Sequence, residues 1–201
     1  MGCKGVRYPH GRTHYYFPDG FQVGGGVSLT RSQLLALPQD PQRLEAELLR
    51  LWNQEHLEAA GPGHSDANEY SDQDMLWIMG ERLLTDTPTP PEVRAAVLHL
   101  MAALPGARIV DKAKDTEGRS GTAIVRRADG DPREWWLVID RSSGDLLGTI
   151  TLVAGPQRPI TGLNVGDMAA AEVVRNSAGP TTDLGYPNGA PNRSGRPCDG
   201  S

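Results

Sequence analysis

The chain has 201 residues, of which 38% are hydrophobic and 22% charged, and its formal net charge is -5. This length predicts one domain, or one domain with appendages. No collagen period is present and no apolar run approaches 18 residues, which excludes a collagen-like fibre and a membrane span in this chain. The mildly acidic balance excludes the basic footprint of a nucleic-acid binder.

The cysteine content and the two ends of the chain bear on its location. Cys3 and Cys198 are the only cysteines and stand near opposite ends, which excludes a disulfide framework and leaves open whether the two pair. The first residues have no signal-peptide pattern, so the chain taken alone is expected in the cytoplasm. No glycine-rich phosphate loop is present, and we predict no cofactor.

Glycine and proline divide the chain into three parts. Residues 176–201 contain four prolines and five glycines with almost nothing apolar, which predicts a disordered tail. Residues 1–28 form a glycine- and aromatic-rich segment. Within it, strand-prone residues on both sides of Pro18-Asp19-Gly20 predict a hairpin over Thr13–Val23. The remaining 29–175 are predicted to be the folded domain.

The first half of this domain has helical start signals and helical spacing. Thr30-Arg31-Ser32-Gln33 has the form of a capping box, and Asp40-Pro41 places an N-cap before a proline at the first helical position. Ser71 can cap a third helix, and Thr89-Pro90-Pro91-Glu92 predicts a fourth that is capped by Thr89. Helices are therefore expected over 30–104.

After Gly106 the pattern changes to short strands separated by turns. The predicted strands are 107–114, 122–127, 135–140 and 146–154, and 169–175 fits either a fifth strand or a short helix. Connections this short require antiparallel pairing. The predicted fold class is α+β, with three to four helices followed by an antiparallel β-meander of four to five strands over 107–175, and with an N-terminal hairpin.

Histidines and acidic residues offer no specific site. His10 and His14 have i, i+4 spacing, but they lie in a strand-like stretch and not in a helix, so we predict no metal site. The acidic stretch that begins at Asp66 fails the EF-hand pattern. Four aspartates stand at predicted turns, where such residues accept local backbone hydrogen bonds: Asp115, Asp129, Asp140 and Asp145.

Trp135-Trp136 is the most unusual local feature. Adjacent residues on a strand point to opposite faces of the sheet, so one tryptophan should enter the core while the other faces solvent, a covering segment or a ligand. Packing of both by helices and tail is the alternative. We take Trp135 and Trp136 as the candidate ligand- or partner-contact residues.

Three motifs occur in order between Phe21 and Val174. They are Leu37-Pro38-Gln39-Asp40-Pro41, then Leu104-Pro105-Gly106, then the turn Asp115-Thr116-Glu117-Gly118-Arg119-Ser120-Gly121 within the meander. In this order and spacing the chain resembles the C-terminal half of an uncharacterised family of membrane-anchored actinobacterial proteins. Members of that family carry a transmembrane helix and earlier strands of an extracytoplasmic domain, so the resemblance implies a chain truncated at its N-terminus.

The resemblance implies an extracytoplasmic, envelope-associated location and carries no catalytic residues. By analogy of fold alone, such a sheet is similar to lipoprotein-carrier and sensor domains, which bind acyl chains or partner peptides. We therefore predict a non-enzymatic binding or sensor module with a lipid-like ligand or a protein partner. A hydrolase that uses the turn carboxylates and a truncated gene product without independent function are the alternatives. Loss of strands would leave an exposed sheet edge, which favours self-association.

Overall fold

The structure is a computed structural model that describes residues 4–7, 13–16, 20–59, 70–128, 130–155 and 162–174. At 4–7, 13–16 and 56–59 the backbone alone is described. The predicted tail, both cysteines and the side chains of four histidines (His10, His14, His56 and His64) lie outside this part of the chain.

Four short strands open the described chain: β1 (Lys4–Arg7), β2 (Thr13–Tyr16), β3 (Phe21–Gly24) and β4 (Val27–Leu29). The predicted N-terminal hairpin is confirmed, but the pairing predicted across Thr13–Val23 is wrong, because β2 pairs with β1 and β3 pairs with β4. The reason lies in Gly24-Gly25-Gly26, whose φ angles of 97°, 59° and 80° reverse the chain directly after Val23. Only glycine adopts such angles without strain, so this tripeptide turns β3 back onto β4.

Four helices follow within the described residues: α1 (Arg31–Leu35), α2 (Pro41–Ala59), α3 (Asp72–Thr85) and α4 (Pro91–Ala103). The predicted capping box of α1 is confirmed, since Thr30 Oγ1 accepts from Gln33 N at 3.2 Å and Gln33 reaches back to Thr30 N. Asp40 Oδ1 accepts from Arg43 N at 2.9 Å at the start of α2. Three of the four predicted helix starts therefore form as expected, with Ser71 capping α3.

The predicted cap of α4 is wrong. Pro90 is the N-cap and makes no side-chain capping bond. A residue before proline is disfavoured in the helical region, so Pro91 holds Pro90 extended, with ψ at 149°, and the helix begins one residue late. The hydroxyl of Thr89 instead donates to Leu83 O at 2.7 Å, which satisfies a carbonyl near the end of α3.

The second half of the chain is a five-stranded sheet of β5 (Ala107–Lys114), β6 (Ser120–Arg126), β7 (Arg133–Ile139), β8 (Leu146–Val153) and β9 (Met168–Val173). Its spatial order follows the sequence order, and every neighbouring pair is antiparallel. The α+β fold class and the meander are thus confirmed, and the segment that fitted strand or helix is a strand.

The main core joins the helices to β3, β4 and one face of the sheet. From the helices it takes Leu44, Leu48, Trp52, Met79, Leu83, Val97 and Met101, and from the sheet Ile124, Leu137 and Leu146. Val23, Val27 and Leu29 belong to the same cluster. The boundary predicted after residue 28 therefore falls inside a hairpin that is part of the core.

Candidate functional site

The two adjacent tryptophans of β7 lie on opposite faces of the sheet, as strand alternation predicts. Trp135 packs against the main core beneath the helices. Trp136 packs against a separate cluster on the other face. Trp136 is therefore the one of the two that packs outside the helical core.

We call the side of the sheet that carries Trp136 the second face. Its buried members are Ala113, Ala123, Val125, Val138 and Leu147, and its partly buried members are Val110, Trp136 and Ile150. All eight come from β5 to β8, and no described helical side chain belongs to this cluster. The sheet thus has a second apolar cluster that is distinct from the one the helices cover.

One end of the second face is bounded by an ion pair. Arg108 Nη2 lies 2.7 Å from Glu134 Oε2, so the pair spans from β5 to β7 across β6. The indole Nε1 of Trp136 donates to Glu134 Oε1 at 2.9 Å, and the Arg108 guanidinium lies 5.6 Å from the Trp136 ring centroid. Arg108, Val125 and Trp136 share one cross-strand row, which leaves Val125 1% exposed. The ring of Trp136 is consequently held in place by both members of this ion pair.

The other end is bounded by Asp115 and Arg119, in the turn between β5 and β6. By strand alternation both lie on the side of Ala113 and Gly121, which is the second face. Arg119 Nη2 donates to Leu147 O at 2.6 Å and to the carbonyl of Val174, just beyond β9, at 3.2 Å.

This reach of Arg119 requires a curved sheet. At about 4.8 Å between strands, β6 and β9 would stand about 14 Å apart in a flat sheet, which is more than an arginine side chain can bridge. The contact between Arg119 and Val174 therefore draws the ends of these strands together. Since Arg119 crosses on the second face, the apolar surface there is bounded by a polar bridge at each end.

The turn carboxylates in this region accept hydrogen bonds from the backbone of their own turns. Asp115 accepts from the backbone N–H groups of Glu117 and Arg119 and from the Arg119 side chain. Burial opposes its ionisation, but the hydrogen bonds and charge of Arg119 outweigh burial and lower the pKa of Asp115. In the turn between β7 and β8, Asp140 accepts from Ser142 and Ser143, and these bonds lower the pKa of Asp140. Both are therefore anionic acceptors of local hydrogen bonds, which is unlike a general acid.

Asp115→Asn is expected to lower the free energy of unfolding by about 2 kcal/mol at neutral pH, because the charged acceptor of three hydrogen bonds is lost. A carboxyl with a lowered folded-state pKa stabilises the fold above its ordinary pKa, and that contribution is lost as the pH falls through the lowered value. The difference between wild type and variant should thus shrink below about pH 4. Urea unfolding across a pH series measures it.

Asp140→Asn is the matched control, since Asp140 shapes a comparable turn and has no arginine partner among the described residues. Its loss should be smaller than that of Asp115→Asn. Equal losses, or a difference for Asp115→Asn that persists in acid, would show that the pair with Arg119 does not stabilise the fold.

The helical face carries an ion pair with a buried arginine, which the sequence did not reveal. Arg126, whose side chain is 5% exposed, donates from Nη2 to Asp74 Oδ1 of α3 at 2.7 Å and from Nε to Pro105 O at 3.3 Å. Its guanidinium also lies 6.0 Å from the Trp77 ring centroid. This pair ties α3 to β6 and belongs to the scaffold behind the second face.

Sequence reasoning found Trp136 but not its neighbours. Glu134 stands two residues before Trp136 on the same strand, so alternation alone could have placed it on the same face. Arg108 could be placed only with the register of β5 against β6. Of the predicted turn aspartates, Asp115 and Asp140 lie at one end of the sheet in separate hydrogen-bond systems, and Asp129 lies outside the described residues.

Two further properties of the described chain concern metals and membranes. Within those residues no group of three or more His, Cys, Asp or Glu side chains is placed to hold a metal ion. None of the helices in the same part of the chain has the combination of length and apolar character that crossing a bilayer requires.

The architecture and this surface define an α+β protein whose antiparallel sheet carries helices on one face and a bounded apolar cluster on the other. Comparison of the chain with protein-family models, with curated proteins and with solved structures gave no match. The resemblance to the membrane-anchored actinobacterial family stays a prediction.

Proposed function

We propose that this chain is a non-enzymatic binding or sensor module that contacts a lipid-like ligand or a protein partner through the second face of its sheet. One observation carries the proposal: this face holds an apolar cluster that is separate from the helical core and has Trp136 within it. Through the resemblance stated above, the module is assigned to an extracytoplasmic, envelope-associated setting.

The chemistry of the second face suits an amphipathic ligand. Its middle is aliphatic, with Val110 and Ile150 partly open to solvent, while its ends carry the Arg108–Glu134 and Asp115–Arg119 pairs. An acyl chain or a row of apolar side chains would gain burial against the partly exposed Val110, Trp136 and Ile150, at about 25 cal/mol per Å² of apolar area removed from water. The flanking charges would favour polar groups at the ends of such a ligand.

The hydrolase alternative receives less support from the same residues. Asp115 and Asp140 have lowered pKa values and are engaged in turn-forming bonds, whereas a catalytic acid needs a raised pKa. The turn carboxylates therefore favour a structural role.

Titration with oleate tests the proposal through tryptophan fluorescence. We expect a saturable change in the emission of the folded protein, because a chain seated on the second face would alter the surroundings of Trp136. Trp136→Phe should remove most of this change, and Trp135→Phe, whose ring packs on the helical core, should retain it.

Circular dichroism of each variant shows that the fold is intact. An unchanged emission spectrum in the folded wild type would contradict the proposal that the ligand is lipid-like. A response lost in Trp135→Phe and kept in Trp136→Phe would place the contact on the wrong face.

A further inference from the structure

The two outer strands of the main sheet, as the described residues define it, differ in how they protect their outer backbone edges. Strand β5 has a register shift between Val110 and Ala113, within which Lys112 has a φ of 56°. It also carries charges at Arg108, Asp111 and Lys114. Bulges and charged side chains are the usual means by which proteins prevent an edge strand from pairing with another chain.

Strand β9 is the other outer strand of this sheet, and it has little such protection. Its first five residues, from Met168 to Glu172, are exposed, and three of them are consecutive alanines. It contains no proline, and Glu172 is its only charged residue. Its one irregularity leaves Ala169 unpaired with β8, so the strand is regular from Ala170 onward.

The hydrogen-bond ladder shows which backbone groups of β9 point outward. Val174 N donates to Leu147 O at 2.9 Å, so Val174 faces β8. Because inward and outward groups alternate along an antiparallel edge, Glu172 and Ala170 also face β8, whereas the N–H and C=O groups of Val173 and Ala171 point away from the sheet.

We propose that β9 pairs antiparallel with β9 of a second copy of this chain, about a two-fold axis at Ala171. An antiparallel pair of identical strands is self-complementary, so one outward-facing strand supplies both halves of the interface. When the axis passes through Ala171, the outward N–H and C=O groups of the two copies form hydrogen bonds with one another. Glu172 then lies opposite Ala170 of the second copy. The alternative centre at Glu172 would place two like charges directly opposite one another, which is unfavourable.

The small side chains of β9 allow a second strand to approach its outer edge. Alanine at three consecutive positions leaves no bulky group on either face to hinder the approach of a second strand. The two sheets would become one, with their second faces on the same side.

Sedimentation velocity of the full chain from micromolar to millimolar concentration tests the proposal. We expect a concentration-dependent shift from monomer to dimer. Ala171→Pro should abolish the shift, because proline removes an outward N–H that β8 does not use. Ala171→Thr, which keeps the N–H and suits a strand, should retain the dimer.

A cross-linking experiment tests the register in a background of Cys3→Ser and Cys198→Ser. Directly opposed residues of a hydrogen-bonded antiparallel pair have Cα atoms about 5.5 Å apart, which is within disulfide range. Ala171→Cys should form covalent dimers on oxidation, and Ala169→Cys, which is offset from its counterpart, should not.

Ile109→Lys provides the control on the opposite edge, since Ile109 of β5 is 54% exposed. It should leave the dimer unchanged. A chain that stays monomeric over the whole concentration range, or a dimer removed by Ile109→Lys and kept by Ala171→Pro, would overturn the proposal.

Discussion

Asp74→Ala is expected to lower the free energy of unfolding by about 4 kcal/mol, because it leaves the buried guanidinium of Arg126 without its carboxylate. The same change removes a partner of Ser71 in the capping box of α3, which is worth about 1 kcal/mol. Urea unfolding followed by circular dichroism measures the loss.

Two controls separate the ion pair from the cap. Ser71→Ala removes the cap and keeps the pair with Arg126, so it should cost about 1 kcal/mol. In the double variant Asp74→Ala with Arg126→Met, the unpaired charge is replaced by an apolar side chain of similar length. The double variant should be more stable than Asp74→Ala alone. If Asp74→Ala costs no more than Ser71→Ala, the ion pair does not contribute.

The loss of stability that we expect at low pH also comes from Asp74. Partial burial opposes ionisation of Asp74, but hydrogen bonds from Ser71 and Arg126 outweigh it and lower the pKa of this carboxyl. The stabilisation from Asp74 is therefore complete above the ordinary carboxyl pKa and is lost as the pH falls through the lowered one.

Gly25→Ala is expected to cost about 3 kcal/mol. A Cβ atom at Gly25 would lie 2.8 Å from Met75 Sδ and 2.9 Å from Trp52 Cδ1, and the φ of 59° is itself unfavourable for alanine. The added methyl group would push the β3–β4 hairpin away from α2 and α3. Thermal unfolding and urea unfolding both report this change.

Gly118→Ala is the matched control, because Gly118 also has a positive φ, of 82°, but has no atom within 4 Å of an added Cβ. It should cost about 1 kcal/mol, the backbone contribution alone. Equal losses at Gly25 and Gly118 would show that the close approach of the hairpin to Trp52 and Met75 is not significant for stability.

Local signals in the sequence were sufficient for most elements. Thr30, Asp40 and Ser71 each combine a capping side chain with the residues that a first helical turn requires, and each begins a helix. The alternation in β7 likewise places Trp135 and Trp136 on opposite faces. These features depend on neighbours in the chain, which a sequence displays directly.

Two predictions, the strand pairing across Thr13–Val23 and the Thr89 cap, were wrong for a different reason. In each case a second local signal competed with the one on which the prediction was based. Pro18-Asp19-Gly20 is a sound turn signal, but Gly24-Gly25-Gly26 lets β3 pair with β4 while its apolar residues enter the core. Thr89 has the form of a cap, but Pro91 delays the start of α4 and Leu83 takes the hydroxyl of Thr89.

One bound of the candidate surface, and the scaffold behind it, also come from contacts between distant parts of the chain. Arg119 is separated by 28 residues from Leu147 and by 55 from Val174, and the pair of Arg126 with Asp74 spans 52 residues. A sequence shows such arginines as charged residues in strands or turns. Only the register and curvature of the sheet reveal which carbonyl or carboxylate each one reaches.

The register shift of β5 at Lys112 limits how many chains could join this sheet edge to edge. A protein whose sheet is open on both sides can add copies without end, whereas one with a single open side cannot. Pairing through β9 leaves a β5 strand at each outer margin, and both margins are interrupted by the extra residue at 111–112. Under the proposed pairing, association would therefore stop at two chains, because the interrupted β5 margins offer no regular edge for a third.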